Sequence, residues 1–454
     1  MKHIRIVGGV AFSAACGAAA ELAGLDEPIV LTIAITALTA AFWMTEAIPI
    51  PAASLIPFLA FPLAGILDET DAAEALGSYV IILLMASFML SKSLERSGAH
   101  ERLAIYMVRL VGSSGRSLIF GFMLAAAVLS MWISNSATAL MLSAMALAIL
   151  SRRPDTKLAA PLLLGIAYAS SLGGTGTLIG TPPNLIFADA YEKATGEEYS
   201  FLRWMKTGVP IVVIGVPMMG LWLTRNLKGV AAPKLPTTGP WRTEEARVLM
   251  VFAAAMFFWI TRTEPFGGWS SLFGLKSAGD ATVAVGAVVA MFLIPNGKGG
   301  ALLDWRSAGD IPWGMLLLFA GGICIAAAFR ASGLDSLIGE SLAGVAMLPV
   351  FMMMLGICLA VTFLTEITSN TATANLLMPV LAAVAAGAGI APDLLMIPAV
   401  VSCSCAFMLP VATAPNAIIY ATEHISIRQM AREGFVLNVI VAFVVAGVCY
   451  FMLM

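Results

Sequence analysis

Two short runs of small hydroxyl and amide side chains lie inside long apolar stretches. Residues 130–139 read SMWISNSATA and residues 365–375 read TEITSNTATAN, so Ser134-Asn135-Ser136 and Ser369-Asn370-Thr371 recur at one offset, 235 positions apart. Ser130 and Thr365 stand at the same offset. Each run is followed by a segment interrupted by glycine or proline, GGTGTLIGTPPN (Gly173–Asn184) and LPVATAPN (Leu409–Asn416), with GTPPN facing ATAPN at an offset of 232. A break between two half-helices exposes unpaired N–H groups with positive dipole character beside unpaired carbonyls. The N–H groups and the Ser, Thr and Asn side chains suit carboxylate oxygens, and the carbonyls suit a small hard cation. Proline removes a backbone donor and ends the helix, and glycine lets the backbone approach a ligand. One such run could equally be hydrogen-bonded packing between helices. Two runs at matching places, each facing its own broken segment, point to one site built from both copies, with two cation cages.

The elements that must position these residues are membrane helices. Of 454 residues 60% are hydrophobic and 11% charged, where soluble domains carry about 25% charged. Mean hydropathy is +0.93, so the bilayer is the solvent for most of the chain. The net charge of −2 gives no footing for a nucleic-acid partner. The six cysteines all lie in apolar segments, and Cys403-x-Cys405 has no partnering His or second pair, so they read as small buried hydrophobes. No HExxH motif and no convincing Ser/His pair is present, which argues against an enzyme.

The reading is all-α, with eleven transmembrane helices, two re-entrant hairpins (117–150 and 347–388) and two broken helices (158–190 and 392–422). Residues 1–24 form a first span that is retained, 25–226 a first repeat, 227–243 a linker, and 244–454 a second repeat. Basic residues gather on the cytoplasmic face. With the N-terminus inside, nineteen of the 25 Lys and Arg fall inside, and only Lys193, Arg203, Lys206, Arg262, Lys276 and Arg330 fall outside. The first hairpin then enters from the cytoplasm, the second from outside, and the C-terminus lies outside. Two halves with an odd number of crossings are inverted relative to each other, which places a substrate site near the midplane between them. Linker residues Pro233, Pro236, Gly239 and Pro240 suit a cytoplasmic connection.

With these residues in view, the chain resembles the divalent anion:sodium symporter family, the INDY-type transporters of di- and tricarboxylates and sulfate. The matching marks are WMTEAIPIP (Trp43–Pro51), WISNSATA, GGTGTLIGTPPN, TEITSNTATAN and FMLPVATAPNAI, spread from residue 43 to 418. The resemblance implies a homodimer in the cell membrane, with a scaffold and a transport part that moves elevator fashion. It implies sodium near Ser130, Ser134, Asn135 and Gly180, and again near Thr365, Thr368, Asn370 and Ala412. It places substrate carboxylates at Ser134, Asn135 and Ser136, at Ser369, Asn370 and Thr371, and at Thr413. Two positions depart from the family pattern. Ser136 replaces the usual threonine, which keeps a hydroxyl and removes a methyl, and Ala414 stands where a second proline is common.

Neither hairpin tip contains Lys, Arg or His. Bound sodium would supply the countercharge that a dianion needs in a low dielectric, so the expected order is sodium first, then anion. The expected activity is sodium-coupled symport of C4-dicarboxylates such as succinate, malate or fumarate. The alternatives are a sodium-independent di- or tricarboxylate exchanger, a symporter of citrate or sulfate, and a channel with two re-entrant loops. Glu46 and Glu366 are intramembrane acids; Glu366 reads as bonding backbone at a hairpin or span end, with proton coupling as the alternative. His3, His100 and His424 read as incidental, Met352–Met354 as packing, and Leu94–Val111 as an amphipathic arm on the membrane surface.

Overall fold

In the computed structural model, residues 2–112, 115–151, 156–227, 239–342 and 348–454 are described. Arg152, Arg153, Lys228, Lys234 and most of the expected linker (228–238) lie outside the described residues. An apolar chain in lipid must satisfy its backbone internally, and here it does so with helices. The first half runs α1 (Lys2–Leu22), α2 (Glu27–Thr45), α3 (Ile50–Ala53), α4 (Ile56–Leu63), α5 (Glu69–Glu74) and α6 (Tyr79–Ser97). It continues with α7 (Ala99–Val111), α8 (Gly115–Ser130), α9 (Asn135–Leu150), α10 (Thr156–Gly173), α11 (Pro182–Thr195) and α12 (Phe201–Leu223). The second half runs α13 (Thr243–Ile260), α14 (Gly268–Leu272), α15 (Asp280–Leu293), α16 (Trp305–Gly309), α17 (Trp313–Ser332) and α18 (Leu334–Leu342). It ends with α19 (Val350–Thr365), α20 (Asn370–Ala388), α21 (Asp393–Cys403), α22 (Ala414–Tyr420) and α23 (Ile427–Leu453).

Element order repeats between the halves. From α6 onward, each of α6–α12 has a counterpart in the same order in α17–α23, between 226 and 237 residues later, although α21 and α22 are shorter than α10 and α11. Both copies of the arm after α6 and α17 begin at a glycine in the left-handed region, Gly98 (φ 73°) and Gly333 (φ 78°). This conformation costs glycine little and ends the preceding helix. Among the described residues, eight helical stretches are long and apolar enough to cross a membrane. Those eight include α10 and α20, which the sequence assigns to a broken span and a hairpin. Length therefore sets apart three of the four hairpin arms, α8, α9 and α19, but not α20.

Two packed groups result. In one, α17 contacts α2, α3, α4 and α6, while α15 contacts α6 and α13. In the other, α8–α12 interleave with α19–α23: α10 packs on α8 and α9, α9 on α22, α11 on α20 and α12 on α23. The arm α7 carries a side chain that turns inward. Arg102 is buried and held by Glu245 at 3.1 Å and by the carbonyls of Gly239 (2.6 Å) and Pro240 (2.8 Å). It thus pins the end of the linker. Of the three methionines of the 352–354 run, Met353 and Met354 are buried and Met352 is exposed.

Candidate functional site

Each hairpin turn begins with the helix-start chemistry of its second arm. Ser134 is the N-cap of α9, and its hydroxyl accepts from the backbone N–H of Ala137 at 3.2 Å. Ser369 caps α20 in extended backbone without a side-chain cap bond. The broken segments start their second helices in the same way, with Thr181 and Thr413 as N-caps. Pro182-Pro183 and Pro415 sit in the first helical turn, where a missing N–H costs nothing. These prolines open half-helices; the breaks themselves are the loops 174–181 and 404–413.

The four helix starts converge on one cavity of about 670 Å³. Its wall includes Ser134, Asn135, Ser136, Gly180 and Thr181 from the first half, and Ser369, Asn370, Thr371, Ala412 and Thr413 from the second. All seven residues expected to hold substrate carboxylates therefore face the same space. The opposite wall comes from the other helix group: Glu46, Ser87, Ser91, Lys92, Glu95, Asp310 and Met315. Lys92 is the one basic residue among the described residues lining the cavity, and it is paired to Glu95 (3.3 Å) and Asp310 (3.7 Å). A larger apolar groove of about 790 Å³ between α13 and α15 contains none of these groups.

Behind each tip lies the same set of bonds. Ser130, fully buried, reaches both the side-chain oxygen of Asn135 and the carbonyl of Ser170. Thr365, also fully buried, reaches the side-chain oxygen of Asn370 at 2.7 Å and the carbonyl of Cys403 at 3.1 Å. A hydroxyl carries one proton, so each set has two acceptor oxygens for one donor. A Cβ placed on Gly180 would lie 2.5 Å from the Gly174 carbonyl oxygen and 2.9 Å from that of Ser130. A Cβ on Gly174 would lie 2.7 Å from Asn135 Oδ1. Oxygens of Ser130 and Gly174 therefore crowd Gly180, and that of Asn135 crowds Gly174, at two adjoining places that only glycine permits. Such an oxygen-rich, proton-poor cluster fits a small hard cation.

Of the expected cation residues, Ser130, Thr365 and Thr368 stand outside the cavity wall. The Thr368 hydroxyl bonds the Leu364 carbonyl (2.9 Å) and Thr373 (2.7 Å). Glu366 accepts backbone N–H bonds from Phe407 (2.7 Å), Met408 (2.8 Å) and Leu409 (3.0 Å), and one from Asn438 Nδ2 (2.7 Å). It thus holds the second broken segment in place. Sequence reasoning assigned no part to Asn184, Asn416 or Asn438, although the first two close the matched GTPPN and ATAPN motifs. Among the described residues, no His, Cys, Asp and Glu cluster could hold a metal ion.

A citrate-transporter family model (CitMHS) matches residues 40–395. The chain is 37% identical over 453 residues to a sodium-dependent dicarboxylate transporter of Staphylococcus saprophyticus, covering 94% of this chain and 87% of that protein. It is 37% identical over 449 residues to the Staphylococcus aureus transporter of the same description, covering 93% and 86%. The chain belongs to the divalent anion:sodium symporter family. As a member of that family it is a multi-pass membrane transporter. In fold it is similar to the YdaH transporter of Alcanivorax borkumensis, with a TM-score of 0.58 at 15% identity over 94% of this chain and 99% of that one.

Proposed function

We propose that the protein carries C4-dicarboxylates such as succinate, malate or fumarate into the cell together with sodium, by an elevator-type alternating-access mechanism. One observation carries the reading: both polar tips and both broken segments open onto a single cavity, each backed by the same hydroxyl–asparagine–carbonyl set. The resemblance to proteins described as sodium-dependent dicarboxylate transporters supports both halves of the claim.

The division of labour follows from the atoms. Ser130, Asn135 and the backbone of Gly180 hold one sodium, and Thr365, Asn370 and the backbone of Ala412 hold the other. The hydroxyls of Ser134, Ser136, Ser369, Thr371 and Thr413 and the N–H groups at the starts of α9 and α20 take the two carboxylates. Each asparagine serves both layers, with Oδ1 toward the cation and Nδ2 available to the anion. Sodium binding therefore assembles the anion site, and the anion binds second. Without bound cations a dianion would meet no fixed positive charge among the tip residues, and its desolvation would go uncompensated.

The arrangement of helices supports an inverted repeat with eleven crossings. At 16 residues each, α8, α9 and α19 reach about 24 Å, short of a hydrocarbon core of roughly 30 Å. Ion pairs also respect the sides assigned from charge. Arg96 pairs with Asp304 (2.7 Å), Lys298 with Glu244 (2.8 Å) and Arg225 with Glu433 (2.8 Å), all on the cytoplasmic side. Lys206 pairs with Glu264 (2.9 Å) and Arg262 with Glu198 (2.7 Å), both outside. In this reading α8–α12 and α19–α23 form the moving body, and the group around α6, α13, α15 and α17 forms the scaffold of a homodimer in the cell membrane. The N-terminus lies inside and the C-terminus outside.

The test is succinate uptake into proteoliposomes with and without an inward sodium gradient, with citrate and sulfate as competitors. Sodium-dependent uptake into vesicles that contain no anion is expected. Uptake that needs internal dicarboxylate and ignores sodium would instead establish an exchanger. The citrate-transporter description of the matched family makes citrate the competitor to watch.

A further inference from the structure

Asn184 and Asn416 close the two cage loops, and nothing in the family resemblance gives them a part. Both are completely buried. Asn184 Nδ2 donates to the carbonyls of Gly174 (3.1 Å) and Thr177 (2.7 Å). Asn416 Nδ2 donates to those of Ala406 (3.0 Å) and Leu409 (3.0 Å). All three positions of the second set follow the first at the same offset. Each amide thus ties the start and the middle of a loop to the helix that follows the loop. The Gly174 carbonyl held in this way is the oxygen that crowds Gly180. In both copies the amide nitrogen has two partners, while Oδ1 is buried with none.

A carbonyl oxygen has two lone pairs. A bond from Nδ2 fixes one; the Thr177 and Leu409 carbonyls also accept the backbone N–H groups of Gly180 (3.4 Å) and Ala412 (3.2 Å), so the carbonyls of Gly174 and Ala406 are the ones whose other lone pair is left for the cage. Partners behind the ligands govern metal affinity because they hold ligand oxygens at the required spacing. Loop backbone would otherwise be free to turn its carbonyls toward other donors. We infer that Asn184 and Asn416 are positioning residues that set the sodium affinity of the first and second cage by stapling their loop carbonyls. The inference rests on reading the cages as sodium sites. Neither asparagine touches the ion or the substrate in this account, and the donors on Nδ2 carry the effect. The two cages are also unequal, since the first is backed by Gly174 and Gly180 and the second by Ala406 and Ala412.

The test uses purified full-length protein without substrate, with thermal unfolding followed as sodium replaces choline. Asn184→Ala, Asn184→Asp, Asn416→Ala and Asn416→Asp are compared with the unmodified chain. Asp keeps the oxygen and loses both N–H donors, so it separates a staple from a direct ligand. Each substitution is expected to raise the sodium concentration giving the half-maximal shift by about 10- to 100-fold. Half-saturation by dicarboxylate in uptake, measured at saturating sodium, stays unchanged. An Asp variant that keeps or tightens sodium binding would make Oδ1 a direct ligand and overturn the inference. So would normal sodium dependence in the Ala variants. Should one pair not fold, the other decides. If none of the four folds, the amides serve folding and the inference is wrong. A missing sodium response in the unmodified chain would instead sink the sodium-site reading itself.

Discussion

Thr365 Oγ1 lies 2.7 Å from Asn370 Oδ1, and Ser130 makes the same bond to Asn135 at the other hairpin. The hydroxyl comes from the end of the first arm and the asparagine from the start of the second. The bond therefore closes each tip from behind and aims the asparagine at the cavity.

Removing either asparagine should end transport. Asn135→Ala or Asn370→Ala takes away an oxygen from the cage and an N–H donor from the anion site together. Sodium-driven succinate uptake is expected to fall to the level of empty vesicles. Thr365→Val keeps the shape but removes the proton that holds Asn370, so a milder defect is expected. Its sodium half-saturation should rise by about tenfold, read from uptake titrated with sodium.

Gly180→Ala should disable the first cage alone. The new methyl would press on backbone oxygens of Gly174 and Ser130 at 2.5 and 2.9 Å, and backbone cannot swing aside as a side chain can. Sodium-dependent uptake is expected to be lost while the protein still purifies as a folded species. The reciprocal change, Ala412→Gly, removes a methyl at the equivalent place and should keep sodium dependence. Equal behaviour of the two substitutions would contradict the asymmetry of the cages.

Glu366 is a stability residue. Its carboxylate gathers three consecutive backbone N–H groups and the Asn438 amide in a buried place. Glu366→Leu leaves the N–H groups of Met408 and Leu409 and the Asn438 amide without this acceptor, while Phe407 N–H keeps its 3.2 Å bond to Asn438 Oδ1. It should lower stability by about 3 kcal/mol or more, at roughly 1–3 kcal/mol per abandoned donor. Glu366→Gln restores an acceptor oxygen but introduces opposing N–H groups, and should fall between. Thermal unfolding at saturating sodium measures both. A Glu366→Gln variant of full stability whose uptake changes only in its pH dependence would favour proton coupling instead.

Ser136 is where the anion site departs from the family pattern, and it lines the cavity beside Ser134 and Asn135. Ser136→Thr restores a methyl and narrows the space next to the first carboxylate. Citrate, the bulkier competitor, should lose about tenfold in inhibitory strength, the scale set by one methyl group in a pocket. Succinate half-saturation should move much less. Competition by citrate against labelled succinate, before and after the substitution, gives the ratio.

Much of the site could be read from spacing. The offset of 235 between Ser134-Asn135-Ser136 and Ser369-Asn370-Thr371 identified both tips, and the structure brings both to one cavity. The rotamer of Thr368 was not legible, because its place in the motif says nothing about where its hydroxyl turns, which is to Leu364 and Thr373. The prolines of GTPPN were legible as breakers but not as helix openers, because only the path of the loop shows which side of the break they occupy.

By itself, the sequence determined the membrane class, the helical periods, the duplicated polar tips and the places where helices must stop. These follow from local chemistry: apolar runs need internally bonded backbone, and glycine and proline act within a turn of where they stand. Only the tertiary structure decided which groups meet across hundreds of residues. Glu366 is 41 residues from Phe407 and 72 from Asn438, yet bonds both. Arg102 is buried against Glu245, 143 residues away, although its helix reads as amphipathic. Such pairings depend on how helices pack, and packing is set by the shapes of all neighbouring side chains together, which no local spacing records.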